Sequence, residues 1–108
     1  MSRASQDPQT RLDELWSFVA SIPAGSCATY GGLGRALSRP VSGLVVGYWM
    51  ARCPEGLPWW RVVGSDGRLP IHKRAPQWAD EQVSRLRQEG APFHADGRVR
   101  LEDCGWAP

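Results

Sequence analysis

The stretch TYGGLGRALSRPVSGLVVGYWMAR, Thr29 to Arg52, decides the fold. Thr29 is an N-cap residue type, and Leu33, Ala36 and Leu37 follow it at helical spacing. Ser38-Arg39-Pro40-Val41 breaks that helix, and Ser42 can cap the next one, from Gly43 to about Arg52. Two short helices joined by a tight break read as a helix-turn-helix. The second of the pair has almost no polar face, because Leu44, Val45, Val46, Tyr48, Trp49 and Met50 crowd it. Gly43 and Gly47 lie one turn apart and leave a strip of nearly bare backbone. A glycine inside a helix costs roughly 1 kcal/mol against alanine, so two of them predict a close approach there. Another helix of the core or a DNA backbone would both satisfy it.

Outward from this pair, residues 1–6 read as a loose polar tail, and residues 7–108 as one domain. Asp7-Pro8 marks a helix start, and Leu12, Leu15, Trp16, Val19 and Ile22 give it one apolar stripe. Pro23-Ala24-Gly25 ends it. Beyond the pair, Arg61-Val62-Val63 and Arg68-Leu69 flank Gly64-Ser65-Asp66-Gly67, which predicts a hairpin or wing. Leu69 to Ala75 is a basic loop. Pro76 opens a helix carrying Trp78, Val83 and Leu86 that closes at Gly90. Phe93 and Val99 to Leu101 bracket an Asp96-Gly97 turn, a second hairpin, and Glu102 to Pro108 reads as an irregular tail with Trp106. The expected fold is mainly α with small β hairpins, a winged helix-turn-helix in a single domain.

The 108 residues suffice for one small core, and 42% hydrophobic with 22% charged residues is ordinary for a globular chain. No run reaches transmembrane length and the polar start lacks a signal-peptide core, so the expectation is a cytoplasmic monomer with no membrane partner. Cys27, Cys53 and Cys104 have no metal-ligand spacing, and His72 and His94 do not complete a site, so neither metal nor cofactor is expected. The thiols read as reduced and structurally unimportant. Net charge is only +2, but nine of the eleven acids lie at the two ends. Between Leu15 and Ala79, Glu55 and Asp66 face seven basic residues: Arg35, Arg39, Arg52, Arg61, Arg68, Lys73 and Arg74. A basic middle with acidic ends is what a phosphate-facing surface produces. A solvated face with chance clustering produces the same pattern.

Pro58-Trp59-Trp60-Arg61-Val62-Val63 is the other informative stretch. In extended backbone two adjacent tryptophans point to opposite sides, so one is expected in the core and the other on a cavity. With Thr29-Tyr30-Gly31 upstream and Glu89-Gly90 downstream, this stretch resembles the DNA-binding domain of the O6-alkylguanine-DNA alkyltransferases. The resemblance runs from about Leu12 to the C-terminus. Those enzymes carry Pro-Cys-His-Arg-Val here, with a Glu holding the His that activates the Cys. Trp59 stands in the place of the Cys, as in the non-transferring alkyltransferase-like branch, Trp60 stands in the place of the His, and Glu89 matches the Glu. Indole replaces neither a thiolate nor its base.

The resemblance implies a non-enzymatic sensor of O6-alkylguanine in double-stranded DNA that flips the nucleotide and flags it for nucleotide excision repair proteins. Tyr30 would crowd the target phosphate, Trp59 would wall the pocket, the Val62 backbone would read the guanine edge, and Arg61 lies in the same motif. Arg74 matches an Arg that contacts the alkylated base, and Trp106 lies in the segment that closes over it. Gly43, Leu44 and Gly47 belong to the helix entering the duplex, where Leu44 replaces the family's Arg and can act as an apolar wedge. Thr29, Arg35, Arg39, Ser42 and Lys73 are the expected phosphate contacts. Two other functions fit the residues: a winged-helix regulator binding intact duplex, for which Leu44 speaks, and a residual O6-methylguanine-DNA methyltransferase using one of the three cysteines.

Overall fold

The computed structural model describes residues 8–69 and 76–108, so Lys73 and Arg74 of the basic loop lie outside the described residues. Its elements are α1 (Pro8–Ser21), β1 (Ala28–Thr29), α2 (Tyr30–Ala36), α3 (Gly43–Met50), a single 3₁₀ turn (Trp59–Arg61), β2 (Val62–Val63), α4 (Pro76–Gln88) and α5 (Leu101–Cys104). The expected stripe of α1 is its buried face: Leu15, Val19 and Ile22 are sealed from solvent and Trp16 packs beside them. That face forms one core cluster with Ala28, Leu33, Leu37, Val46 and Val62. A second cluster gathers Cys27, Val63, Leu69, Leu86, Ala91, Val99 and Cys104. The two clusters meet where adjacent Val62 and Val63 of β2 point one into each.

The α2–α3 pair forms as the caps predict. Thr29 Oγ1 accepts from Gly32 N–H at 2.9 Å, and Ser42 Oγ from Val45 N–H at 3.3 Å. The break between the helices folds onto Gly34, whose carbonyl accepts from Val41 N–H at 3.1 Å. A Cβ on Gly34 would sit 2.3 Å from the Val41 carbonyl oxygen, so only glycine fits there. Gly43 answers one half of the question posed by the glycine strip. Its added Cβ would meet Gly31 N at 3.0 Å, so what approaches Gly43 is the first turn of α2. Glu14 of α1 ties the end of α2, accepting from Ser38 Oγ at 2.7 Å and Ser38 N–H at 3.1 Å.

The structure corrects three expectations. β2 does not pair with Arg68-Leu69; its partner is β1, in parallel, with Ala28 opposite Val62 and Thr29 opposite Val63. The Gly64–Gly67 turn exists, closed by Gly64 N–H to the Arg68 carbonyl at 2.8 Å, and it docks on the C-terminal segment through Val99 N–H to Gly67 O at 2.9 Å. Second, the tail is not irregular throughout. α5 occupies Leu101–Cys104, Cys27 N–H donates to Cys104 O at 3.0 Å, and Trp106 N–H donates to Cys27 O at 2.8 Å. Third, Cys27 and Cys104 are core residues rather than bystanders, since both are buried in the second cluster. The Phe93–Val99 hairpin forms as expected around Asp96-Gly97. No helix among the described residues is long and apolar enough to cross a membrane.

Candidate functional site

A cavity of about 820 Å³ opens between α3, the 3₁₀ turn and α4. That volume falls in the range of small-molecule sites, roughly 300–1,000 Å³. Both tryptophans of the motif line it. The premise that they must point apart fails because the backbone is a tight 3₁₀ turn instead of a strand. Trp59 meets Trp60 edge to face, with ring centroids 6.0 Å apart, and meets Trp78 of α4 the same way at 5.8 Å. Three indoles thus make one continuous wall, a surface suited to a flat, apolar-faced ring.

Trp60 is held from several sides. Its Nε1–H donates to Glu89 Oε2 at 3.0 Å, and the Arg85 guanidinium lies 4.4 Å over its ring. Arg61 Nε donates to Glu89 Oε1 at 3.0 Å, Arg61 Nη2 pairs with Glu89 Oε2, and Arg61 Nη1 donates to the Ile22 carbonyl at 2.7 Å. Gly25 N–H reaches the same carboxylate at 3.2 Å. Burial would raise the Glu89 carboxyl, but hydrogen bonds from Arg61, Trp60 and Gly25 and the Arg61 charge outweigh it and hold it below the usual carboxylate range. Arg61, expected at the lesion, is therefore turned inward, because its guanidinium is engaged by Glu89 and Ile22. Its work is to hold the loop that carries the tryptophans.

Gln82 of α4 completes the wall, donating from Nε2 to the Trp60 carbonyl at 3.1 Å and the Val62 carbonyl at 3.2 Å. Cys53 also lines the cavity, and burial pushes its thiol up to about 11. Only about one part in ten thousand is then thiolate at pH 7. Cys27, buried against Cys104, is pushed up to about 12, first by burial. Among the described residues no cluster of His, Cys, Asp or Glu could hold a metal ion.

Of the expected site residues, the fold brings Tyr30, Gly47, Trp59 and Val62 together on the cavity. Leu44 lies outside it, on the outer face of α3, 69% exposed. Tyr48, one turn further along, is 62% exposed and extends the same face. Arg35, Arg39 and Arg52 are exposed on or beside the helix pair. Thr29 and Ser42 spend their side-chain oxygens on caps. Trp106 is displaced from the expectation: it packs against the first core cluster, drawn there by the backbone bond to Cys27. Sequence reasoning missed Trp78, Gln82 and Arg85 as cavity residues, although Trp78, Gln82, Arg85 and Glu89 follow one another at helical spacing and mark a single polar-aromatic face.

The chain is similar to known proteins. Against the DNA base-flipping protein of Vibrio parahaemolyticus, the chain is 30% identical over 99 residues, covering 90% of this chain and 96% of that one. Against Alkyltransferase-like protein 1 of Schizosaccharomyces pombe, it is 31% identical over 109 residues, covering 91% and 99%. The crystal structure of S. pombe Atl1 in complex with damaged DNA containing O6-carboxymethylguanine superposes with a TM-score of 0.81 at 25% identity, covering 94% of this chain and 99% of that one. Residues 11–91 match the 6-O-methylguanine DNA methyltransferase DNA-binding domain, and the chain belongs to that family.

Proposed function

We propose that this protein binds double-stranded DNA, extrudes an O6-alkylguanine nucleotide into the indole-walled cavity and holds it there without transferring the alkyl group. The observation that carries the reading is the cavity itself: it is lined by Trp59 and by Trp60, the latter held by Glu89, where a transferring enzyme needs a nucleophile and its base. Extrusion is required on geometric grounds, because guanine O6 lies in the major groove of a stacked pair and cannot otherwise enter a pocket. Alkylation weakens the pairing and lowers the cost of extrusion. α3 presents Leu44 and Tyr48 toward the duplex as an apolar wedge, with Tyr30 at the start of α2 beside the target nucleotide and Arg35, Arg39 and Arg52 toward phosphates. A single copy of the chain acts, and the held lesion is then a marker for excision-repair proteins.

The test pairs two duplexes identical but for one O6-methylguanine. The reading expects clearly tighter binding to the alkylated duplex at matched salt and an unchanged intact mass of the protein afterwards. Equal affinities would make the protein a regulator of intact DNA. The presence of Cys53 on the cavity favours one other reading, a residual methyltransferase, which a mass gain of one methyl group on Cys53 would establish.

A further inference from the structure

Stacking is not all that the indole wall offers a ligand. Trp59 stands at 87° to Trp60 and at 88° to Trp78, so the π faces of the wall point in more than one direction. Indole faces carry negative potential and attract cations. One cation already uses the wall: the exposed Arg85 guanidinium lies 4.4 Å over the Trp60 ring. Acids stand beside the indoles from two segments. On α4, Trp78, Glu81, Gln82 and Arg85 line the cavity at helical spacing, which puts the Glu81 side chain on the cavity face of that helix. Glu55 comes from the loop between α3 and the 3₁₀ turn and is exposed. From Leu15 to Ala79 the only other acid is Asp66, and it is paired with Arg68 at 2.9 Å. Glu55 has no ion-pair partner among the described residues. Arg85 Nε–H donates to Glu81 at 2.8 Å, so those two charges offset each other. Burial keeps the Cys53 thiol neutral. Two carboxylates against one guanidinium leave the described lining with a net negative charge. Carboxylates repel DNA phosphates, so acids on a cavity that receives a nucleotide match a positive group on the ligand.

We propose that the cavity selects O6-alkylguanines whose alkyl group carries a positive charge, with the indoles of Trp59 and Trp78 and the carboxylates of Glu55 and Glu81 forming a cage for an alkylammonium head. The proposal rests on the base-extrusion reading above and adds which alkyl groups are held. At about 820 Å³ the cavity lies toward the top of the range for small-molecule sites, which leaves room for a purine ring and a substituent longer than methyl. An ammonium at the end of that substituent meets electron-rich rings and carboxylates, while its methylenes gain apolar contact. A neutral propyl group of the same length gains the apolar contact alone. A carboxylate in the same place is repelled by the acids and by the ring faces.

The experiment measures binding at matched salt to duplexes carrying guanine, O6-propylguanine, O6-(2-aminoethyl)guanine or O6-carboxymethylguanine at one position opposite cytosine. The three alkylated bases are similar in size and share the same disturbed pairing edge, so the charge of the substituent is what separates them. The expected result is that the wild-type protein holds the aminoethyl duplex about tenfold tighter than the propyl duplex, the effect of an ammonium on a desolvated indole face, and the carboxymethyl duplex weakest. An ammonium also lowers the net charge of the duplex and its attraction to exposed arginines, which works against the expected preference. Both acids are partly or fully exposed, so their substitution leaves the core intact. Glu55→Gln should reduce the aminoethyl preference and leave the propyl affinity unchanged. The double variant Glu55→Gln, Glu81→Gln leaves Arg85 as the charged group of the described lining, and should bind the carboxymethyl duplex tighter than the aminoethyl one. Equal wild-type affinity for the aminoethyl and propyl duplexes, or an order that the double variant does not change, overturns the proposal. If the wild-type protein does not separate O6-propylguanine from guanine, the extrusion reading fails and takes the proposal with it, and that comparison involves no charged substituent.

Discussion

The inner wall of the cavity and the outer face of α3 are built on opposite principles. On the wall, one carboxylate takes hydrogen bonds from Trp60, Arg61 and Gly25, and Arg61 also reaches back to the end of α1. Trp60 and Arg61 are thus held before any ligand arrives. On α3, Leu44 and Tyr48 project with most of their surface in water and nothing packed over them. The difference teaches where binding energy and where selectivity reside. A preorganised wall can discriminate between rings because it does not reorganise around the wrong one. An exposed wedge gains its contacts only when a base stack closes over it.

The largest effect should come from breaking the wall. Glu89→Ala strands the largely buried Arg61 guanidinium and the Trp60 indole N–H, and is expected to destabilise the fold by about 3 kcal/mol, lowering Tm by roughly 10–20 °C in a calorimetric scan. Acid should expose the same contact. The Glu89 carboxyl is held below its ordinary value of 4.5, so its stabilisation is complete above that pH and is lost as pH falls through the lower folded-state value. The stability gap between wild type and Glu89→Gln should therefore be constant at neutral pH and close below pH 4.5. A gap independent of acid would mean the carboxylate is not what holds the turn.

Next in size, Trp59→Ala removes a stacking surface worth about 1–3 kcal/mol per base. Titration with O6-methylguanine duplex should show a loss of roughly 5- to 100-fold, with little change for undamaged duplex. Tyr30→Ala should weaken the lesion complex in the same selective way. On the wedge, Leu44→Arg adds charge-assisted hydrogen bonds to the base left behind, and should tighten lesion binding by about tenfold and undamaged binding by less. Equal tightening of both would place Leu44 outside the stack. The smallest effect belongs to the exposed cations. Arg35→Ala or Arg39→Ala should lower the slope of log affinity against log salt by about one unit without altering selectivity. An unchanged slope means that residue faces solvent.

What the sequence disclosed and what it hid follow the same divide between local and distant. The α1 stripe and the Thr29 and Ser42 caps are local signals, and each sits where its pattern puts it. The β1–β2 pairing was hidden, because two-residue strands far apart in the chain carry no local period. Arg61 was misread because a positive charge does not announce its partner, and Glu89 lies 28 residues away. Trp78 was read only as part of the apolar face of α4, and Gln82 and Arg85 were given no role; only the fold shows that all three line the cavity. Trp59 and Val62, singled out by the family resemblance, line the cavity, whereas Trp106 packs against the first core cluster beside a backbone bond to Cys27.

The central claim is extrusion of the alkylated nucleotide into the cavity, and 2-aminopurine placed beside the lesion reports it directly, since its fluorescence rises when it loses its stacking neighbour. Titrating the protein into O6-methylguanine duplex should raise that fluorescence to a plateau that tracks binding, while the guanine duplex, bound at the same salt, stays dark. Flat fluorescence in a saturated O6-methylguanine complex would contradict the account, because the base would then still be in the stack and the indole wall would be facing something else.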